Sequence, residues 1–161
     1  MTTMTKGSAK VTLPSDTEIL ITREFAAPKH LVYRAYTTPE LVSRWWHAEH
    51  GEMKSCEIDL RVGGTWRYAM TAHGGFEVAF HGEFREIVPN ERLVSTEIYE
   101  GAPEDEALST VTFTEEDGRT SLSILSRHTS QASRDAVIAS GMESGLQVAM
   151  DLLEEVAAGL A

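Results

Sequence analysis

Between Cys56 and Arg127 apolar residues recur at every second position, and from Met142 onward at every third or fourth. That change of period constrains the fold more than any other feature of the chain. Cys56, Ile58 and Leu60 alternate with Glu57, Asp59 and Arg61; Trp66, Tyr68 and Met70 share a face opposite Arg67; Phe76, Val78, Phe80 and Phe84 mark the next stretch. Arg92 to Tyr99, Leu108 to Thr114 and Thr120 to Arg127 complete the strands, and the acidic segment Glu100 to Glu106 reads as a loop. Gly63-Gly64, Gly74-Gly75, Pro89-Asn90 and Asp117-Gly118 punctuate the runs, the last being a dipeptide that favours a type I′ hairpin. Each link is too short for a parallel crossover, so the meander is antiparallel.

The flanks are helical apart from one early strand. Thr17 to Phe25 reads as that strand, with Ile19 and Ile21 in a run that carries Glu18, Arg23 and Glu24. Pro28 stops it and suits a first helical turn, after which Leu31, Val32, Ala35 and Tyr36 recur at helical spacing. A second short helix follows, with Thr38 as N-cap, Pro39 in the first turn and Glu40 at the positive dipole end. Its apolar positions are Leu41, Val42, Trp45 and Trp46. Gln131 to Ala139 is a short helical turn that ends at Ser140-Gly141. The final helix carries Leu146, Ala149, Leu153 and Val156 on one stripe and spans about 27 Å. The expected architecture is α+β: a curved seven-stranded antiparallel sheet around a long C-terminal helix, with two short helices after the first strand. Residues 1–15 show no period and are expected to form a flexible leader, leaving 16–161 as a single domain.

Composition narrows the function. A chain of 161 residues can bury about 69% of its extended surface, enough for a core without metals or disulfides. Fourteen basic against 25 acidic side chains leave a net charge of −11, which repels phosphate backbones and anionic lipid heads, so neither nucleic acid nor membrane is an expected partner. Cys56 is the single cysteine and has no internal partner, as suits a reducing compartment. No secretory or membrane-spanning run is present, so a cytoplasmic protein is expected.

Whether the wrapped sheet is solid or hollow depends on side-chain volume. The helix stripe sets Gly145 and Ala149 beside Met142 and Met150, small residues beside flexible ones. Opposite stand Trp66, Tyr68, Met70 and Phe80. The mixture suits a pocket for an apolar molecule with one or two polar anchors, and equally an ordinary core. From pattern alone the two readings stand level.

Four strings carry a resemblance: TPELVSRWW (38–46), DLRVGGTWRYAM (59–70), HGEFREIVPNERLVSTE (81–97) and SGMESGLQVAMDLLEEV (140–156). In this order and spacing the chain resembles the START-like, helix-grip superfamily (SRPBCC, Bet v 1-like). Within it the chain is similar to the branch named for homologues of the activator of the heat-shock protein 90 ATPase. The resemblance implies a deep cavity between sheet and C-terminal helix. It favours binding of a small hydrophobic or aromatic molecule by Tyr33, Trp46, Trp66, Tyr68, Met70, Phe80, Phe84, Met142, Leu146 and Met150. Tyr68 is the candidate to orient a polar group. The alternatives are a polyketide cyclase- or dehydratase-like enzyme in the same cavity, or a chaperone-ATPase activator-like interaction module. The eukaryotic members that stimulate the chaperone carry an additional N-terminal domain not seen in this sequence, so a chaperone partner is not expected.

Other candidate chemistry is weak. His47-Ala48-Glu49-His50 offers metal-binding groups, yet the HExxH spacing is missing and the stretch reads as a solvated loop, so no metal or other cofactor is expected. His73 and His81 read as ordinary hydrogen-bonded histidines. Cys56 reads as a small buried hydrophobe. Ser121, Ser123 and Ser126 lie on a strand without a nucleophile elbow, and no catalytic residue is identified. Trp45 and Trp46 lie about 100° apart around a helix, so either one packs inward while the other sits at the cavity rim or in a subunit contact, or both close the hydrophobic end of the sheet. A homodimer is compatible with the sequence, which shows no decisive patch for one.

Overall fold

The computed structural model describes residues 9–47 and 50–161. Strands β1 (Lys10–Thr12) and β2 (Glu18–Phe25) lead into helices α1 (Lys29–Thr37) and α2 (Pro39–Val42). Six strands follow: β3 (Gly51–Ile58), β4 (Thr65–Ala72), β5 (Glu77–Val88), β6 (Arg92–Tyr99), β7 (Glu106–Glu116) and β8 (Arg119–Arg127). Helices α3 (Gln131–Ala139) and α4 (Met142–Gly159) end the chain. One antiparallel sheet runs in the order β1-β2-β8-β7-β6-β5-β4-β3. The sheet therefore has eight strands, not seven. The added strand β1 pairs with β2 through Lys10↔Thr22, Val11↔Ile21 and Thr12↔Leu20. Three residues are too few to show a period, and a short edge strand limits the unpaired backbone that the sheet presents. Of the leader expected over 1–15, residues 1–8 lie outside the described ones.

The short helices also differ in number: α1 and α2 follow the second strand of the sheet, and α3 adds a third. Ser130 Oγ caps α3 by accepting from the Ser133 N–H at 3.1 Å. Gly141, at φ 82°, turns the chain from α3 into α4. Thr38 makes no side-chain cap; its carbonyl accepts from the N–H groups of Leu41 and Val42 at 2.9 Å each. The Asp117-Gly118 turn holds both residues at positive φ, 53° and 75°, as the hairpin signal requires.

Two irregularities bend the sheet, between Met53 and Ser55 in β3 and between Phe84 and Glu86 in the twelve-residue β5. The hollow of the bend receives α4, whose packing divides into two halves. In the C-terminal half Leu153, Val156 and Ala157 are sealed against Phe25, Val32, Val42 and Phe113, a solid core. In the N-terminal half the helix stands off the sheet.

A buried ionic cluster fastens the solid half. Arg23 of β2 and Glu154 of α4 have side chains 0% and 1% exposed. The Arg23 guanidinium lies 4.7 Å above the Phe25 ring, donates to Asp151 Oδ1 at 2.7 Å and to the Met150 carbonyl at 3.2 Å, and sits 3.6 Å from Glu154 Oε1. Glu154 Oε2 accepts from the Ala26 N–H at 2.8 Å. Removing one partner of such a cluster leaves a desolvated charge behind. Arg23→Met is therefore expected to cost about 3–5 kcal/mol, read as a lowered urea midpoint at pH 7. A cost below about 1 kcal/mol, the scale of a surface pair, contradicts this account of how α4 is held.

Candidate functional site

The stand-off leaves a cavity of about 960 Å³ between the N-terminal half of α4, the inward sheet face and the α1–α2 end. Nine of the ten residues expected to line a pocket do line it: Trp46, Trp66, Tyr68, Met70, Phe80, Phe84, Met142, Leu146 and Met150. Tyr33 is not among the lining residues. It packs edge-on against Phe113 in the solid half, ring centroids 5.4 Å apart. Tyr36, one helical turn later, reaches the cavity in its place.

Strand alternation builds the walls. Trp66, Tyr68 and Met70 of β4 pair with Gly82, Phe80 and Val78 of β5, so one aromatic face continues across two strands. Gly82 is needed there: a Cβ would meet the Thr96 carbonyl oxygen at 1.9 Å and Trp66 Nε1 at 2.6 Å. The two tryptophans of the α2 region diverge. Trp45 is buried and donates through Nε1 to the Ala35 carbonyl at 3.0 Å. Trp46 meets Tyr68 and Phe80 edge-on, with centroids 5.1 and 5.5 Å away. Phe80 also lies 5.1 Å from Tyr99, half exposed at the mouth.

His47 and His50, expected in a solvated loop, are half-buried. His47 stacks on Phe80 at 5.7 Å, and its imidazole is pushed down to about 4 by burial, then by His50. His50 fills the notch at Gly145 of α4, where a Cβ would lie 2.4 Å from its Nε2. The space expected at Gly145 is thus taken by an imidazole. Glu49 lies outside the described residues, and among those described no group of three metal-ligating side chains gathers. Cys56 is half-buried, and burial with Glu40 and Glu57 raises its thiol to about 11. His81 faces outward, its Nδ1 2.8 Å from Glu100 Oε2, and Arg67 grips Glu100 through two bonds of 2.9 and 3.0 Å. That surface cluster holds the Glu100 carboxyl down at about 2.

Polar groups that the sequence reading missed lie on the sheet floor. Leu93, Ser95, Glu97 and Tyr99 of β6 all line the cavity. Ser95 pairs with Ser109 of β7, and Ser109 with Ser126 of β8, so three inward serines form one row across adjacent strands. Among the described residues neither these hydroxyls nor the Glu97 carboxyl has a hydrogen-bond or ion-pair partner. Burial raises the Glu97 carboxyl above its ordinary range. Its charge in turn helps raise the phenols of Tyr36 and Tyr68, both already lifted mainly by burial. Among the described residues the lining contains Glu97 and Asp105 but no lysine or arginine. An acid facing aromatic rings and hydroxyls in a mostly apolar chamber can anchor one polar group of an otherwise apolar guest, or exchange a proton with it.

A curved antiparallel sheet gripping a C-terminal helix over an internal chamber defines the helix-grip, START-like class. Residues 26–158 match the family described as activator of Hsp90 ATPase homolog 1-like protein, and the chain belongs to that family. It is similar to a crystal structure from Rhodobacter sphaeroides, with 27% identity, TM-score 0.87 and 96% and 100% of the two chains covered. It shares its fold with proteins from Nitrosomonas europaea (22% identity, 93% and 99% covered, TM-score 0.81) and Mycobacterium smegmatis (24% identity, 91% and 94% covered, TM-score 0.81). No curated protein matches it significantly. Among the described residues no helix is long and apolar enough to cross a membrane.

The half-buried imidazole of His47 makes the cavity wall acid-sensitive. A histidine held at about 4 when folded, against 6.5 unfolded, binds fewer protons in the native state, so stability is lost as pH falls from 6.5 toward 4. The loss amounts to roughly 3 kcal/mol. His47→Asn, which tolerates the positive φ of 47° at this position, is expected to flatten that stretch of the pH–stability curve in urea titrations. An unchanged slope contradicts the burial of this ring.

Proposed function

We propose that this protein binds one small, mainly apolar or aromatic molecule between the sheet and the N-terminal half of α4, and that it does so in the cytoplasm. The observation that carries the reading is the cavity itself: about 960 Å³ walled by Trp46, Trp66, Tyr68, Phe80, Leu146 and Met150. That volume falls in the range of small-molecule sites, and its surface is mainly apolar. Membership of the family supports the fold, and the reading rests on the chamber rather than on the activity in the family's description. A chain with one cysteine and a charge of −11 supports a reducing, aqueous setting.

One observation favours a second, enzymatic reading. Glu97, close enough to Tyr36 and Tyr68 to shift both phenols, is the inward acid that cyclase- or dehydratase-like chemistry in this chamber requires. On that reading Glu97→Gln abolishes turnover of a bound substrate but leaves its binding intact.

The binding reading is tested with N-phenyl-1-naphthylamine, a neutral dye that brightens in apolar surroundings. Wild-type protein is expected to bind one equivalent with saturation. Leu146→Trp, which fills the chamber from α4, is expected to weaken binding at least tenfold with an unchanged far-ultraviolet circular dichroism spectrum. No saturation by the wild type, or equal binding by the variant, overturns the proposal.

A further inference from the structure

We infer that the guest is an amphipathic amine: an apolar, preferably aromatic body carrying a protonated nitrogen, with Glu97 as its counter-ion. The inference rests on the binding reading above and specifies the chemistry of the same chamber. Its first support is the sign of the lining. Among the described residues Glu97 and Asp105 face the cavity and no lysine or arginine does, so an anionic guest finds neither of the permanently charged cations there. Four histidines line it, His47, His50, His73 and His128; His47 and His128 are pushed toward the neutral form, mainly by burial, and His50 is packed into the notch at Gly145. Asp105 is already engaged, accepting from Thr129 Oγ1 at 3.3 Å. Among the described lining residues, Glu97 is the carboxyl left without a hydrogen-bond or ion-pair partner.

A second support is independent of charge counting. Trp46, Trp66, Tyr68 and Phe80 form a contiguous aromatic wall with successive centroids 4.8 to 5.5 Å apart. Aromatic faces attract an ammonium group through their quadrupoles, most strongly where water is excluded. The serine row Ser95–Ser109–Ser126 continues from the Glu97 strand across β7 and β8, and hydroxyl oxygens accept from N–H donors. A carboxyl, hydroxyl acceptors and aromatic faces are the partners an ammonium needs after it leaves water. A buried carboxylate without a counter-ion is unfavourable in the empty protein. A cation relieves that cost, whereas a neutral guest cannot and an anion adds to it. The net charge of −11 also draws cations toward the surface and keeps anions away.

Three probes sharing one body separate this inference from the binding reading: 1-naphthylmethylamine, 1-naphthylmethanol and 1-naphthoate, titrated calorimetrically into the full chain at pH 7. The amine is expected to bind at least tenfold more tightly than the alcohol, and naphthoate more weakly than either. Glu97→Gln is expected to bring the amine down to the affinity of the alcohol for the same variant. If the alcohol saturates and the amine binds no more tightly, the inference falls and the binding reading stands; wild-type ratios alone decide this, whatever the variant does. An amine advantage that survives in Glu97→Gln, or tightest binding of naphthoate, also overturns it. If none of the three saturates, both readings fall.

Discussion

Arg23 decides where α4 sits. Its guanidinium, sealed between β2 and the middle of the helix, is held by Asp151, the Met150 carbonyl and the nearby Glu154, while Glu154 also binds the backbone at Ala26. A desolvated cluster of this kind has one good geometry and many poor ones, so it fixes the helix in rotation and in depth. The residues after it, Leu153, Val156 and Ala157, then seat against Phe25, Val32 and Phe113 as an ordinary close-packed core. The residues before it are carried clear of the sheet by the same constraint. The chamber is the space left when a rigid helix is docked at one end over a bent sheet.

That division explains a mixed interior. Close packing requires apolar side chains only where atoms fill the space. In the solid half the inward positions are Phe25, Phe113 and Leu122; in the hollow half, along the same strands or their neighbours, they are Ser95, Glu97, Ser109 and Ser126. Facing a chamber rather than a core, these polar groups need a guest or water to satisfy them. The aromatic wall of β4 and β5 supplies the complementary surface: large, rigid, and kept open by Gly82 where Trp66 crosses the sheet.

Much of the scaffold was legible in the sequence, because hairpins announce themselves locally. Asp117-Gly118 and the alternating aromatic residues of β4 and β5 carried the meander, and helical spacing carried α1 and α4. Strand β1 was not legible, since Lys10-Val11-Thr12 gains its structure only from pairing with β2. Nine of the cavity liners were readable as apolar residues on inward faces, but Tyr33 was not distinguishable from Tyr36 without knowing which side of α1 meets Phe113. Glu97 and the serines were illegible for a deeper reason. On β6 the inward set is Leu93, Ser95, Glu97 and Tyr99, while Val94 and Ile98 face outward, so hydrophobic alternation points the wrong way along a strand that borders empty space. The loop histidines were misread for a related reason: His47 and His50 are half-buried, against Phe80 and in the notch at Gly145, which lie far along the chain.

The account stands on α4 being held off the sheet along its first turns. A crystal structure of the protein, purified without added ligand, addresses that directly. The expected result is an opening of several hundred cubic ångströms between Leu146 or Ala149 and the inward faces of β4 to β8, occupied by solvent or by a guest, with the Glu97 carboxyl inside it. Leu146 and Met150 in direct contact with Tyr68 and Ser109, leaving no volume for another molecule, would contradict it.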